Sequence, residues 1–318
     1  MFKRDPLIPI ISSKDILSDH PEMIDVSSVF NPGAIKFDNK ILLLLRVQNR
    51  ARETLLVKAL SDDGIYFNID SNPLIINDLD QADETIFHIY DPRITKINQS
   101  YYILAAIDVH GKCLLGLLQT TDFRSLNFIG FTGKDDNRNG VLFPEKVQGK
   151  FARYDRPNKV QLESGVFSGD QIWYSESDDL IHWTPKKMVM DGRLHYWDEN
   201  IGAGPPPIKT REGWLLIYHG IAMHYQPIYQ VGAALLDLDE PWRVISRGRY
   251  NILEPREIWE TTGQVPNVVF PSGIIADDID PEGFAILDSE VTLYYGAADT
   301  HIGRATSTIK ELIHACYC

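Results

Sequence analysis

The chain has 318 residues, and its 44% hydrophobic and 24% charged content excludes a chain that is disordered throughout. A formal net charge of −13 without a basic stripe argues against nucleic acid as a partner. The longest aliphatic run, residues 41–45, is far too short to cross a bilayer, so we expect no membrane partner. Three cysteines without framework spacing and an N-terminus without a signal-peptide pattern favour a cytoplasmic protein.

A repeated pattern runs along the chain: a proline, a lysine four residues later, and then an apolar or aromatic strand. The lysines that mark four copies are Lys36, Lys96, Lys146 and Lys209, of which the copy at Lys146 is the weakest. A fifth unit begins at Phe270. Short acidic turns before an aromatic residue fall between these copies, at Asp62, Asp122, Asp178 and Asp237.

The two markers divide the chain into five units of short strands, and about four strands repeated radially form a β-propeller blade. We therefore predict an all-β, five-bladed β-propeller in which residues 1–318 form a single domain. Residues 1–30 are expected to pack as an N-terminal extension or to close the ring, and residues 304–318 to hold a short C-terminal helix. The alternative is a β-sandwich or a two-domain β protein with accidental repeats.

In a propeller the inner strands of all blades converge on one axis, so residues at equivalent strand starts can share a pocket. The residues at or close to those positions are Asn31, Arg46, Asp91, Arg93, Glu145, Arg156, His219 and Asp299. Asp91 is the best candidate for the general acid that glycosyl transfer requires, and the alternative is a turn cap before Pro92. For Glu145 we favour an ion pair or a sugar contact over proton transfer.

The arginines suggest an anion site, because a guanidinium grips phosphate or carboxylate in a planar, bidentate way. For Arg46 and Arg156 the alternative is a solvated salt bridge, and for His219 it is a core histidine. The sequence has no metal-ligand spacing and no nucleotide-binding motif, so we predict no metal and no cofactor.

A series of short motifs in a fixed order resembles the family 130 glycoside phosphorylases, which act on β-mannosides. The carriers are Asn31-Pro32-Gly33, Asp91-Pro92-Arg93, Phe143-Pro144-Glu145-Lys146, Asp155-Arg156-Pro157, Tyr218-His219-Gly220 and Tyr294-Tyr295-Gly296-Ala297-Ala298-Asp299. The family fold is a five-bladed β-propeller, which agrees with the repeat count.

The resemblance implies an inverting phosphorolysis that gives α-mannose 1-phosphate, with inorganic phosphate as co-substrate. It implies that Asp91 is the acid, acting through a mannose hydroxyl. It assigns phosphate binding to Arg46, Arg156, His219 and Tyr229, and contacts near the mannosyl unit to Asn31, Arg93 and Asp299.

Two positions refine this expectation. Asn200 stands where many phosphorylases of the family have a lysine, which weakens the predicted phosphate site and keeps an inverting β-mannosidase open. Tyr90, directly before the acid, resembles the branch that acts on β-1,4-mannosyl-N-acetylglucosamine and mannooligosaccharides. Together with Trp197, Tyr225 and Tyr229 it is a candidate for stacking on sugar faces.

A non-catalytic sugar-binding propeller is the remaining alternative, and it would lack the acid. The sequence does not fix the acceptor sugar, the linkage or the oligomeric state, and a homo-oligomer stays open.

Overall fold

The computed structural model describes residues 1–158, 160–161, 167–184, 187–223 and 225–318. Within them the chain forms a five-bladed β-propeller, which confirms the predicted fold class. Two α-helices accompany the sheets: α1 (Ile258–Thr261) and α2 (Ile309–Cys316). No helix in the described part of the chain is both long and apolar enough to cross a membrane.

The blades follow one another along the chain. Blade 1 contains β2 (Val26–Phe37), β3 (Lys40–Asn49), β4 (Thr54–Ser61) and β5 (Asn68–Ile69). Blade 2 contains β7 (His88–Ile97), β8 (Ser100–Val109), β9 (Lys112–Thr120) and β10 (Ser125–Phe131), with β6 (Ile75–Asn77) parallel to β10. Blade 3 contains β11 (Asn137–Leu142), β12 (Phe151–Pro157), β15 (Gln171–Ser177) and β16 (Lys187–Asp191), while β13 (Val160–Gln161) and β14 (Phe167–Ser168) pair separately.

Blades 4 and 5 complete the ring. Blade 4 contains β17 (Asn200–Ala203), β18 (Ile208–Thr210), β19 (Gly213–Ala222), β20 (Ile228–Leu236) and β21 (Val244–Arg247). Its innermost strand is split into β17 and β18 because residues 205–207 are prolines, which cannot donate to a ladder. Blade 5 contains β22 (Val269–Ala276), β23 (Glu290–Ala297) and β24 (His301–Thr308), and β1 (Lys3–Arg4) is its fourth strand.

The two chain ends meet in blade 5. β1 pairs antiparallel with β24, with Lys3 opposite Thr306, so the N-terminal segment closes the ring. The helix begins later than the predicted segment 304–318, because residues 304–308 are the end of β24. Thr308 caps α2 by accepting a hydrogen bond from the backbone N–H of Glu311, which fixes the start of the helix.

The recurring acidic turns follow the third strand of a blade. The Asp63 carboxylate accepts hydrogen bonds from the backbone N–H groups of Ile65 and Tyr66 after β4. Asp179 and Asp237 accept equivalent bonds after β15 and β20. In blade 2, Asp122 accepts one such bond, from the backbone N–H of Arg124 after β9. A short carboxylate that satisfies turn N–H groups therefore recurs in blades 1 to 4, which explains the period of the motif, whereas the third strand of blade 5 leads directly into α2.

The hydrophobic core lies between neighbouring blades. Side chains alternate along β3, so that Leu42 and Leu44 pack towards blade 2 while Leu43 and Leu45 pack towards blade 5. A strand that is buried on both faces must be apolar at successive positions, which accounts for the run of leucines.

Bulges in the innermost strands of three blades re-aim side chains at the axis. Each bulge contains one residue with positive φ: Asn31 (46°), Asp91 (51°) and Asn139 (53°). Asn and Asp tolerate this left-handed conformation better than most residues, and a bulge is a common device for directing a side chain into a site. The bulge of blade 3 at Asn139 also shows that residues 143–146 are not the third copy of the axial position.

Candidate active site

A cavity of about 630 Å³ lies at the axial end where these bulges meet. We call it the axial cavity. Most of the predicted site residues line it: Asn31, Arg46, Tyr90, Asp91, Arg156, His219, Tyr229 and Asp299. They come from all the blades, so the site depends on closure of the whole ring.

Asp91 is held by a cation and an amide. Its Oδ1 accepts hydrogen bonds from Arg46 Nη1 at 2.8 Å and from Asn31 Nδ2 at 2.9 Å. Burial raises the pKa of the Asp91 carboxyl, but Arg46, Arg93 and the Asn31 bond outweigh burial and hold that pKa below its ordinary value. Near neutral pH the carboxyl is therefore ionised when the cavity holds no ligand.

Arg46 is itself fixed by aromatic rings. Its guanidinium carbon lies 4.3 Å from the ring centre of Phe30 and 4.5 Å from that of Tyr90, a cation–π sandwich. The Tyr90 hydroxyl donates a hydrogen bond of 2.7 Å to Asp108 Oδ1. Tyr90 therefore orients Arg46, and its buried ring is less available to a sugar than the sequence predicts.

Blade 3 supplies two further anion-binding candidates. Arg138 and Arg156 are cross-strand partners on β11 and β12, and both line the cavity. Burial, with a smaller contribution from Arg138, lowers the pKa of Arg156 to about 10, yet Arg156 stays cationic at neutral pH. An anion between the two guanidiniums would relieve their repulsion.

His219 is buried beside Tyr229 and Phe270, with ring centres 6.0 and 4.8 Å away. Burial, with Arg156 and Arg93 nearby, lowers the pKa of His219 well below its ordinary value, so the imidazole is neutral. Among the described residues neither of its ring nitrogens has a hydrogen-bond partner. A buried polar group of this kind is costly unless a ligand satisfies it.

Asp299 is a further carboxylate of the cavity, which Asp91 and Asp108 also line. Burial is the main cause that raises the pKa of Asp299 to about 6; Arg46 opposes the rise and Asp91 adds to it. Asp91 and Asp299 therefore have pKa values shifted in opposite directions within one cavity, an arrangement typical of acid–base sites.

Other predicted residues lie outside the axial cavity. Arg93 is buried behind it, where Nε donates to the Gly204 carbonyl and Nη1 to the Asp91 carbonyl, both at 2.9 Å. Arg93 therefore holds the backbone of the Asp91 bulge. Asn200 is buried at the start of β17 and does not line the cavity.

The predicted sugar contact at Glu145 is replaced by an ion pair, the alternative that the sequence left open. Glu145 Oε1 lies 2.7 Å from Lys209 Nζ, because residues 143–146 follow β11 rather than forming its axial bulge. Of the predicted aromatics, Trp197 lines a neighbouring cavity and Tyr225 is almost fully exposed.

The sequence reasoning missed Arg138 and Asn139. Asn139-Gly140 occupies the equivalent bulge of blade 3 to Asn31-Pro32-Gly33 in blade 1, but it lacks the proline of the repeat, which occurs at Pro144 instead. Within the described residues no group of three or more His, Cys, Asp or Glu side chains is placed to hold a metal ion.

The family model of glycoside hydrolase family 130, described as beta-1,4-mannooligosaccharide phosphorylase, matches residues 2–318. The chain belongs to this family. Its resemblance to the family 130 glycoside phosphorylases is thereby confirmed, and so is the expectation of a glycoside phosphorylase enzyme.

Relatives in the family share about a third of the sequence. The chain is 31% identical over 295 residues to the beta-1,4-mannooligosaccharide phosphorylase of Ruminococcus albus, covering 90% of this chain and 84% of that protein. It is 33% identical over 318 residues to a 1,2-beta-oligomannan phosphorylase of a Thermoanaerobacter species, covering 93% and 97%. The solved structure of beta-1,2-mannobiose phosphorylase from Listeria innocua superposes with a TM-score of 0.84 at 27% identity, covering 99% of each chain. These relatives support mannoside phosphorylase function and differ in linkage.

Proposed function

We propose that this family 130 member catalyses inverting phosphorolysis of terminal β-mannosides in the axial cavity, giving α-mannose 1-phosphate and a shortened acceptor. The observation that carries the proposal is the convergence of Arg46, Arg156 and His219 with Asp91 in one cavity. A sugar-binding propeller needs no buried acid, and a hydrolase needs no cluster of cations beside it.

In the proposed reaction a phosphate oxygen forms a bond to the anomeric carbon as the glycosidic C–O bond breaks. The electron pair of that bond stays on the acceptor oxygen, which takes a proton from Asp91 through a mannose hydroxyl. Phosphate replaces both the water and the base of an inverting hydrolase, so one enzyme carboxylic acid is enough.

Phosphate binding is assigned to five residues that line the axial cavity: Arg46, Arg138, Arg156, His219 and Tyr229. Arg138 compensates for the neutral residue at Asn200, because it supplies a second guanidinium directly across the ladder from Arg156. The cluster explains how a protein of net charge −13 can bind an anion, since the local field in a cavity can oppose the global one.

The ion pair between Arg46 and Asp91 supplies the proton control that the reaction needs. Arg46 keeps Asp91 ionised in the free protein, so Asp91 can act as an acid only when its ion pair with Arg46 is weakened. A phosphate that draws on the Arg46 charge would raise the pKa of Asp91 and favour its protonated form. Binding of phosphate would thus favour the protonated form of Asp91 that can donate a proton.

We propose β-1,4-mannosyl-N-acetylglucosamine or β-mannooligosaccharides as the substrates. Support comes from Tyr90 directly before the acid and from the activity named for the Ruminococcus albus relative. The activity named for the Thermoanaerobacter relative makes β-1,2-linked substrates the competing choice. The proposed compartment is the cytoplasm, in keeping with three free cysteines.

Hydrolysis is the second candidate, and the observation that favours it is that a further carboxylate with a raised pKa, Asp299, lies in the same cavity as Asp91. Incubation with β-1,4- and β-1,2-linked mannobiose and with β-1,4-mannosyl-N-acetylglucosamine, each with and without phosphate, separates the two. Mannose 1-phosphate formed only with phosphate supports the proposal and ranks the acceptors. Free mannose released equally in both conditions would replace it with hydrolysis.

A further inference from the structure

A second cavity of about 860 Å³ lies beside the axial cavity, and we call it the side cavity. Its lining includes Tyr196, Trp197, Glu199, Gln230, Glu254 and Asn267. None of these residues has a role in the proposed phosphorolysis. The side cavity therefore needs an explanation of its own.

The two cavities share a wall. Along the start of β20, Ile228 and Gln230 line the side cavity while Tyr229 between them lines the axial cavity. The segment that pairs with Tyr229 shows the same alternation, since Asn267 lines the side cavity and Val268 lines the axial cavity. The backbone N–H of Tyr229 donates to the Asn267 carbonyl at 3.0 Å, so the wall is one hydrogen-bonded unit.

The far side of the side cavity is rigidly built around Asp198. This fully buried carboxylate pairs with Arg193 at 2.7 Å and with Arg247 at 2.6 Å, and it accepts a hydrogen bond of 2.9 Å from the Tyr218 hydroxyl. The network fixes residues 193–199, which carry the aromatic lining of the cavity. A fully satisfied buried network of this kind rigidifies the segment that holds it.

Trp197 lies flat on the sheet. Its ring is stacked on Tyr218 with an interplanar angle of 24°, and its Nε1 donates to the Arg249 carbonyl at 2.9 Å. A Cβ at Gly220 or Gly232 would overlap the indole, so the absence of a side chain at these two glycines allows the ring to pack closely against the sheet. The cavity thus has a preformed aromatic surface.

The polar groups of the side cavity suit a neutral polyhydroxyl ligand. Carboxylate and amide oxygens of Glu199, Gln230 and Asn267 can accept hydrogen bonds from hydroxyl groups. The arginine in the lining, Arg256, is paired with Glu254, with Nε 3.0 Å from Oε1, so its charge is already neutralised. Aromatic faces bordered by such acceptors are typical of carbohydrate recognition rather than anion binding.

We propose that the side cavity is a distal subsite for the acceptor-end sugars of a longer β-mannooligosaccharide whose terminal unit occupies the axial cavity. This inference rests on the proposed function. Pro227 lines the axial cavity and Ile228 the side cavity, so the two cavities adjoin at the start of β20. Tyr196 and Glu199 line the side cavity, and in this proposal they contact the sugars that extend beyond the shared wall.

The test measures the affinities of mannobiose and mannotetraose by isothermal titration, for the β-1,4 and β-1,2 series. All proteins carry D91N and all solutions are free of phosphate, so no substrate is consumed. In this background we expect tetraose to bind more tightly than biose. Tyr196→Ala should reduce that preference about tenfold, the scale of a lost aromatic contact. Glu199→Gln should reduce it by a smaller factor.

Tyr250→Ala is the matched control. Tyr250 is 62% exposed and Tyr196 is 49% exposed, each has an arginine over its ring, and Tyr250 does not line either cavity. Its substitution should leave the preference unchanged.

Two outcomes separate the inference from the function on which it rests. Equal affinities for biose and tetraose in the D91N parent, or a preference that survives both substitutions in correctly folded proteins, would overturn the distal subsite. A preference that is lost in Tyr196→Ala, combined with free mannose release in the product assay, would keep the subsite and reject phosphorolysis.

Discussion

Two carboxylate–arginine pairs in this propeller have similar chemistry and opposite consequences. Asp91 pairs with Arg46 in the axial cavity, and Glu260 pairs with Arg4 where the N-terminal strand closes the ring. The side chains are 15% and 15% exposed in the first pair, and 12% (Arg4) and 0% (Glu260) in the second.

Glu260 is surrounded by donors. Arg4 Nε and Nη2 donate to its two oxygens at 2.7 Å each, and the Tyr295 hydroxyl donates at 2.8 Å. The backbone N–H groups of Arg256 and Glu257 add bonds of 2.8 and 3.0 Å. With both oxygens bonded, this carboxylate is fixed and serves to hold β1 against the rest of blade 5.

Asp91 makes both of its hydrogen bonds through Oδ1 and lines a cavity. A carboxyl that keeps access to a ligand can gain and release a proton, whereas a carboxylate with both oxygens bonded must lose hydrogen bonds to be protonated. The number of donors and the access to a cavity, rather than the ion pair itself, therefore distinguish the proposed acid from a structural carboxylate.

Asp91→Asn should remove the charge and the ionisable proton of Asp91 while keeping the size and shape of the side chain. An amide oxygen can still accept from Asn31 and Arg46, but the proton donor is lost. We expect turnover to fall by about 10²- to 10⁴-fold, the range for a lost general acid. Steady-state kinetics with phosphate measure it, and an unchanged melting temperature controls for folding. Near-normal turnover would remove Asp91 from the acid role.

Arg4→Ala should break the ring-closing pair and leave a fully buried carboxylate without its cation. Loss of one partner of a buried pair costs about 3 to 5 kcal/mol of unfolding free energy. Arg50→Ala is the control, because Arg50 and Asp25 form a pair that is 74% and 61% exposed. Exposed pairs contribute about 1 kcal/mol or less. Denaturant titration compares the two, and equal losses would contradict the distinction between them.

Arg156→Ala tests whether the axial cations serve phosphate. Removing one partner of a buried, charged hydrogen bond typically costs about 2 to 5 kcal/mol. We expect the Michaelis constant for phosphate to rise far more than that for the mannoside. Initial rates measured over both substrates separate the two constants, and an equal rise in both would reject the phosphate assignment.

Asp299→Asn tests the raised pKa of this axial carboxylate through protein stability. Because the folded-state pKa of about 6 lies above the ordinary value of 3.8, the folded protein binds the proton more tightly than the unfolded one. Stability therefore falls as the pH rises from about 4 to about 6, and it stays lower above that window. The variant should lose this slope and gain up to about 3 kcal/mol at pH 7. Unfolding at pH 4 and pH 7 measures it, and a parallel loss at both would contradict the raised pKa.

The same contrast separates what the sequence could predict from what it could not. Most of the blades were predictable because one turn motif, with Asp63, Asp179 and Asp237 capping backbone N–H groups, recurs after their third strands. The axial residues followed from the proline–lysine repeat, because the bulges at Asn31 and Asp91 occupy the same strand position in their blades.

Contacts between distant residues were not predictable in this way. Arg4 and Glu260 are 256 residues apart, and no local pattern links them. Glu145 was chosen from a weak repeat copy, whereas the bulge of blade 3 lies at Asn139. Arg93 belongs to the same motif as Asp91, yet its side chain turns to the Gly204 carbonyl of another blade, a direction that only packing decides.

The proposed attack of phosphate on the mannoside, with inversion, is tested most directly by a ¹H and ³¹P NMR time course of the protein with mannobiose and phosphate. The time course identifies the anomer of the first product. We expect α-mannose 1-phosphate from the earliest points and no sugar release without phosphate. A β-configured phosphate, or free mannose released at the same rate without phosphate, would contradict it.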